Sequence, residues 1–371
     1  MKKQLIISTC GTSLLTNEAQ KSVRDQLNRL ANTQKHQLDA AELGFIEARA
    51  QTQRGVLFAG TAINARSVSA ELNGILGIYD NQIQLAKADQ HILLHTDTLQ
   101  GELAAETLKD WLIEHGASAY CQRLERLNTE NLEAFHEGIN ALIHWAAETI
   151  PGYQQAGYSV VFNLVGGFKS FQGFMQSLGM FYADELVYIF ESSNQLLRMP
   201  RLPVDLNQSV RDSLDAHALA IRTLDAGLPV NESTALTAIP ETFLYRFAGE
   251  TDLSPWARLV WKQHKPRLYR TSPLPSLSSL LVLSDKARTL ASRLPPERLA
   301  VFNERMDDLA VYLETGQRSC PKRLDFKLLK GNPCPPATHE CDLWADADTQ
   351  RAFGCFIQNQ FHVQWIGNAL H

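Results

Sequence analysis

The chain has 371 residues, 44% of them hydrophobic and 20% charged, with a formal net charge of −5; that length supports two or three cores rather than one. The acidic balance excludes a protein that coats nucleic acid by bulk electrostatics, so any RNA site must be local. No apolar run approaches the roughly 18 residues needed to cross a bilayer, and the opening MKKQLIISTCG has too short an apolar core for a signal peptide, so a cytoplasmic protein without a membrane partner is expected.

In chain order, Lys3–Ser8 is a short apolar run that stops at TCGTS, small and hydroxyl-bearing residues suited to a turn with exposed N–H groups. A strand and a binding loop are expected there, followed by a helix over Asn17–Leu30 with Val23, Leu27 and Leu30 on one face. His91–Asp97 reads as a second strand and Gly101–Glu114 as a helix. YCQRL reads as a third strand, Glu130–Thr149 as a helix, and YSVVFNLVGG as a fourth strand. Ser170–Tyr182 (helix), Glu185–Ser192 (strand) and an antiparallel edge strand in QLLRMPRLPVDL complete this part. Strands alternating with helices, each strand a continuous apolar run, predict a mostly parallel doubly wound α/β sheet.

Near Asn207 the character changes. Val210, Leu214, Ile221 and Leu224 have helical spacing up to a capping Gly227, and FLYRFAG and ARLVWKQH follow. These predict a small helical module with a β-wing, in the manner of a winged helix. Lys265–Ser279, rich in Pro and Ser, reads as a linker. Ser284–Leu294 and Pro296–Glu314 read as two helices, and RLDFKLL, ECDLWAD, RAFGCFIQN and QFHVQWIG as short strands of an antiparallel sheet on them, an α+β domain. The boundaries drawn are 1–206, 207–275 and 276–371. The six cysteines (Cys10, Cys121, Cys320, Cys334, Cys341, Cys355) form no CxxC pair and are expected to be reduced thiols, with no metal.

Two constellations carry the chemistry. Ser8–Ser13 and Gly166–Ser170 (GGFKS) both fall at the carboxyl ends of strands, where open α/β sheets bind ligands. Two glycines permit close backbone approach, the following helix presents N–H groups, and Lys169 adds a charge, together a phosphate cradle. The same letters also fit a plain strand-to-helix turn with a solvated lysine. In the C-terminal part, Arg318, Lys322, Arg323, Lys327 and Lys330 face one anion, Asp325, and His339, Arg351, His362 and His371 follow. RNA cleavage through the 2′-hydroxyl needs a proton acceptor, a proton donor and a cation at phosphate, which Lys, His and Arg can supply; a solvated, lysine-protected edge strand is the other reading.

LIISTCGTSLLTN, LLHTDTLQGELAA and VVFNLVGGFKSFQGFM together resemble the CRISPR-associated Rossmann-fold (CARF) sensor domains that bind cyclic oligoadenylates. The resemblance covers about residues 1–206. It implies a homodimer with the cyclic ligand, cyclic tetra-adenylate being expected, lying across the two-fold axis as an allosteric activator, and no other cofactor. The implied ligand contacts are Thr9, Gly11, Thr12, Ser13, Asn17, Gly167, Lys169 and Ser170, with Thr96 and Thr98 at the second strand. Some relatives cleave their ligand, for which Ser13 and Lys169 are the candidates here.

The two helices, the basic strand ending FKLLKG and the terminal RAFGCFIQNQFHVQWIG resemble RelE-type mRNA interferases over roughly Ser279–His371. This implies ribosome-dependent cleavage of A-site mRNA, with Lys327 and Lys330 at phosphate, His339 as base or acid, Arg351 orienting RNA and His371 assisting. No tyrosine follows the last strand, and the chain ends GNALH where many relatives place an arginine. Residues 276–371 hold eleven Lys plus Arg and eleven Asp plus Glu, a neutral balance that favours action on a docked ribosome over naked RNA. The combination resembles the CRISPR-associated mRNA interferases of type III systems. Alternatives are a HEPN ribonuclease built on Arg211 and His217 (R-x5-H), whose side chains a regular helix would set about 240° apart, and a ligand-responsive transcription regulator.

Overall fold

A computed structural model describes residues 2–127, 132–190, 195–203, 205–230, 236–247, 249–316, 321–330, 334–346 and 348–368. Arg318, Cys320 and His371 lie outside them. The chain divides into two compact units, Met1–Asp205 and Leu206–His371.

The first unit begins with β1 (Gln4–Thr9), α1 (Ser13–Thr16), α2 (Lys21–Arg29), α3 (Ala40–Ala59), α4 (Ala65–Val68) and α5 (Ala70–Ile78). β2 (Gln90–His95), α6 (Leu99–Glu114), β3 (Ser118–Arg123), α7 (Leu132–Gln155), β4 (Ser159–Asn163), α8 (Lys169–Tyr182), β5 (Glu185–Ile189) and β6 (Leu196–Pro200) follow. The sheet order is β3-β2-β1-β4-β5-β6, parallel except for the antiparallel edge strand β6. Ile6, Leu93 and Val161 pack with Leu72 and Ile75 of α5 and Leu108 and Trp111 of α6, while α7 and α8 pack on β4. Coverage of both faces explains why the consecutive residues Leu5, Ile6 and Ile7 are all buried. The helix expected over Asn17–Leu30 is in fact two, because Asn17 adopts extended backbone (ψ 141) after α1 and the chain re-enters a helix only at Lys21. The segment between Gln34 and Asp89, silent to strand–helix pattern reading, supplies α3 to α5.

One buried polar cluster sits at the amino end of β2. Tyr79 Oη donates to Asp89 Oδ2 (2.9 Å) and lies 3.1 Å from His91 Nε2, and Asp89 Oδ1 accepts from the Gln4 amide. His91 is fully buried, and among the described residues its Nδ1 has no partner.

The second unit contains α9 (Gln208–Ala216), α10 (Ala218–Asp225), the hairpin β7 (Leu244–Phe247)–β8 (Glu250–Leu253) and α11 (Pro255–Leu268). It continues with β9 (Leu281–Leu283), α12 (Asp285–Ala291), α13 (Pro296–Glu314), β10 (Lys327–Leu328), β11 (His339–Trp344), β12 (Gln350–Ile357) and β13 (Gln360–Asn368). The five-stranded sheet runs β10-β11-β12-β13-β9, antiparallel except that β9 joins β13 in parallel. Its inner face, with Cys341, Leu343, Ala352, Phe361 and Val363, packs on Phe302, Leu309 and Leu313 of α13.

The Pro/Ser-rich stretch is not free chain. Lys265–Leu268 belong to α11, and beyond it Asn303 of α13 donates to the Tyr269 and Ser272 carbonyls and accepts from the Leu274 amide. Arg222 of α10, 3% exposed, pairs with Asp307 of α13, which also accepts from Tyr269, and donates to the Pro275 carbonyl. His217 falls at the break between α9 and α10, and Arg211 spends its Nε on the Leu206 carbonyl, so these two residues form no paired catalytic set on a continuous helix.

Burial pushes the His91 imidazole down from 6.5 to about 3. The unfolded chain therefore binds a proton between those values that the folded one refuses, and stability is lost as pH falls from 6.5 toward 3. This one group contributes a slope of up to about 1.4 kcal/mol per pH unit. Urea unfolding followed across pH 3–6.5 should show a shallower slope for His91→Asn than for the parent; equal slopes would contradict the assignment.

Candidate functional site

The strand order reverses between β1 and β4: the chain leaves β1 toward β2 on one side and returns through β4 on the other. The chain runs on from these two strands toward opposite edges of the sheet, and a cleft opens at their carboxyl ends. The cleft, about 440 Å³, is lined by Cys10–Ser13, Thr96, Val165–Phe168 and, from the end of α2, Asn28, Ala31 and Asn32.

The two loops are interlocked. Thr9 Oγ1 donates to the Gly166 carbonyl (2.6 Å), which also accepts from Gln172 Nε2 (2.8 Å). Gly167 has φ +89°, a left-handed conformation that disfavours a side chain, and a Cβ there would lie 3.1 Å from Thr9. Beneath them is a carboxylate that pattern reading did not single out. Glu71, fully buried in the first turn of α5, accepts from the Gly11 amide (2.8 Å), Ser13 Oγ (2.5 Å) and Ser69 Oγ (2.6 Å). Asn163, at the end of β4, donates to the Glu71 carbonyl and to Ser8 Oγ. A Cβ on Gly166 would fall 2.2 Å from Glu71 Oε1, so the second glycine loop is shaped around this carboxylate. Burial, reinforced by Glu71, pushes the Cys10 thiol well up, which keeps it a neutral core residue.

These contacts sort the expected ligand residues. Gly11, Thr12, Ser13, Thr96 and Gly167 line the cleft. The Gly11 N–H and the Ser13 hydroxyl are committed to Glu71, and Ser13 Oγ also accepts from the Ala70 amide, which leaves Ser13 without a hydroxyl proton for ligand cleavage. Thr9 is fully buried and ties the loops together. Asn17 is turned to the Ser67 and Val68 carbonyls and is not a lining residue. Thr96 pairs with Thr98, the N-cap of α6. Lys169 and Ser170 are exposed in the first turn of α8, directly after the lining residue Phe168. That 14-residue helix has no side-chain cap and no acidic residue in its first turn. Its leading N–H groups and Lys169 give the cleft rim a positive potential, while Glu71 lies buried beneath the floor.

The C-terminal candidates do not form one cluster. In the β10–β11 ladder Lys327 pairs with Glu340 and Leu328 with His339, and side chains alternate between faces along a strand. Lys327, Glu340, Asp342 and Arg351 therefore share the outer face, and His339 lies on the inner one. Arg351 is itself neutralised, bonded to Glu340 (2.5 Å) and 3.0 Å from Asp342, and Lys327 pairs with Asp325. His339 lies flat on Phe326 (5.2 Å, 11°), edge-on to Phe356 and Phe361, with Nδ1 against Thr338 Oγ1. Burial lowers its pKa, so the ring is neutral near pH 7. Lys330 is exposed beside the strand. Among the described residues no cluster of His, Cys, Asp and Glu has the arrangement to hold a metal.

Glu71→Gln keeps the shape of the floor but loses acceptors for the buried Gly11 and Ser13 donors. It is expected to cost the chain about 2–3 kcal/mol in urea unfolding; an unchanged midpoint would show that the carboxylate does not hold the loops.

Residues 66–202, which include Glu71, Asn163 and Gly166–Ser170 but not the first loop, match the model of a CRISPR-associated protein family (Cas_APE2256). Among solved structures, the chain is similar to Can2 from Sulfobacillus thermosulfidooxidans in complex with cyclic tetra-adenylate, at 11% identity over 76% of this chain and 74% of that one, with a TM-score of 0.23.

Proposed function

We propose that the chain is a cyclic-oligoadenylate-responsive effector of type III CRISPR defence, whose second unit cleaves mRNA on the ribosome. The observation that carries the first half is the cleft at the β1/β4 reversal, with Lys169 and an uncapped helix N-terminus at its rim. The match of residues 66–202 to a CRISPR-associated family supports it. The ligand is cyclic tetra-adenylate, its phosphates on the rim formed by Gly167, Lys169 and Ser170, and a second copy of the chain completes the site by two-fold symmetry. Thr9, Glu71 and Asn163 hold the loops in place and do not touch the ligand.

The second half rests on the resemblance of Ser279–His371 to RelE-type interferases and on the outer sheet face. Lys327 and Lys330 stabilise the scissile phosphate in this reading, and Arg351, held by Glu340 and Asp342, orients the RNA. Asp342, half-buried on the same face and 3.0 Å from Arg351, is the carboxylate placed in this reading to take the proton of the attacking 2′-oxygen and return it to the leaving 5′-oxygen. Glu340 positions the guanidinium, and His371 assists. The module over 207–275 is a spacer or docking surface packed on α13. The neutral charge balance of residues 276–371 is why the ribosome, rather than the enzyme alone, must present the RNA.

The test is mRNA cleavage in a translation reaction with and without each cyclic oligoadenylate. Cyclic tetra-adenylate is expected to stimulate cleavage. Lys169→Ala should weaken ligand binding about tenfold and shift the activation curve while leaving the saturated rate unchanged. Lys327→Ala with Lys330→Ala should cut the saturated rate about a hundredfold with ligand affinity unaltered. Absence of stimulation by any ring size would sink the sensor half; full activity of the double variant would sink the catalytic assignment.

A further inference from the structure

Removed from the outer face, His339 needs another role. Its ring, with Phe326, Phe356 and Leu328, makes an apolar patch on the edge of the sheet. Leu328 is 69% and Phe356 40% exposed, and Leu328 lies directly across from His339 in the ladder. The Phe326 and His339 rings are stacked, their planes within 11° of parallel, and Thr338 Oγ1 at Nδ1 (2.8 Å) fixes the imidazole. Phe326 is in turn braced edge-on by Tyr312 and Phe361, both buried. A patch of this kind is stiff, with the Phe356 ring standing at 82–83° to the stacked Phe326–His339 pair and one polar ring atom, Nε2, beside it.

Its charge surroundings select the occupant. Residues 321–330, which carry Phe326 and Leu328, hold four cations against Asp325. Arg323 is paired with Asp308 and Lys327 with Asp325, whereas Lys322 and Lys330 are exposed and make no ion pair among the described residues. An exposed aromatic ring braced by a stacked pair, next to unpaired lysines, is complementary to an unstacked nucleobase and its phosphates, since every base offers a π-face and stacking tolerates any sequence.

We propose that Phe326, His339, Phe356 and Leu328 form a stacking platform for one base of single-stranded RNA, with Lys322 and Lys330 on the adjoining phosphates. His339 is thus a recognition residue, whose Nε2 meets the base edge or ribose, and not a proton carrier in cleavage. The proposal rests on the reading of the second unit as acting on RNA, and it places the bound strand so that it passes from the platform around the β10 edge.

The test uses the full chain and a single-stranded RNA octamer carrying one 2-aminopurine, whose fluorescence is quenched on stacking. Saturable quenching is expected. Phe356→Ala should raise the Kd about tenfold and Leu328→Ala by less, both with the salt dependence unchanged because neither removes a charge. Lys330→Ala should reduce the salt slope by about one. His339→Phe keeps an aromatic ring at the position and should retain quenching, whereas His339→Ala should raise the Kd about as much as Phe356→Ala does. The exposed side chains make folding failure of the first two variants a minor concern, and thermal melting checks it. No octamer binding at about 1 mM, or equal quenching in the parent and the Phe356→Ala, Leu328→Ala double variant, would overturn the platform. So would concentration-dependent self-association abolished by Leu328→Asp, which would assign the patch to a second copy. If cleavage in translation fails while quenching behaves as expected, the ribosome-dependent reading falls and the platform stands.

Discussion

The buried carboxylate of Glu71 is the constraint on which the geometry of the first unit depends. A charge removed from water must be met by several donors, and here they come from the loop after β1 (the Gly11 amide and Ser13 hydroxyl) and from the start of α5 (Ser69). Gly166 must lack a side chain to pass it, and Asn163 fastens the α5 backbone to β4. Two loops far apart in sequence are thereby held against each other before any ligand arrives. The same carboxylate makes the floor of the cleft unfavourable for phosphate and leaves the rim at Lys169 and the head of α8 as its electropositive part.

The second unit has a comparable knot. Arg222 and Asp307 bind the helical module to the long helix beneath the C-terminal sheet, and Asn303 ties down the stretch between them. Around Asp225, burial alone would raise the carboxyl, but Lys262, Lys265 and Arg258 together pull it below the usual range. The Asp225 cluster thus joins α10 to α11 within the module, while the Arg222–Asp307 pair and the Asn303 hydrogen bonds fasten the module to α13. A rotation of the sheet would carry the module with it.

On that sheet, strand alternation divides labour between faces. The outer face holds a cation already balanced by two carboxylates, and the inner edge holds a neutral histidine among aromatic rings.

The sequence by itself determined the alternation of strands and helices in the first unit, the antiparallel edge strand, the helix pair and β-rich C-terminus, and the two loops after β1 and β4, because apolar runs and glycine punctuation are local signals. It could not show Glu71. A lone glutamate in AELNGILGI looks like a surface residue, although its place after the N-cap Ser69 on an otherwise apolar helix was a faint cue. Nor could it separate His339 from Lys327 and Arg351, since proximity in a basic stretch says nothing about the face of a sheet until pairing register is known. The Pro/Ser-rich segment misled for the same reason: composition reports what a chain can do when unbound, and three hydrogen bonds from Asn303, some thirty residues away, decide what it does. Long-range pairing of polar groups, which has no period and no local signature, is what the tertiary structure alone decided.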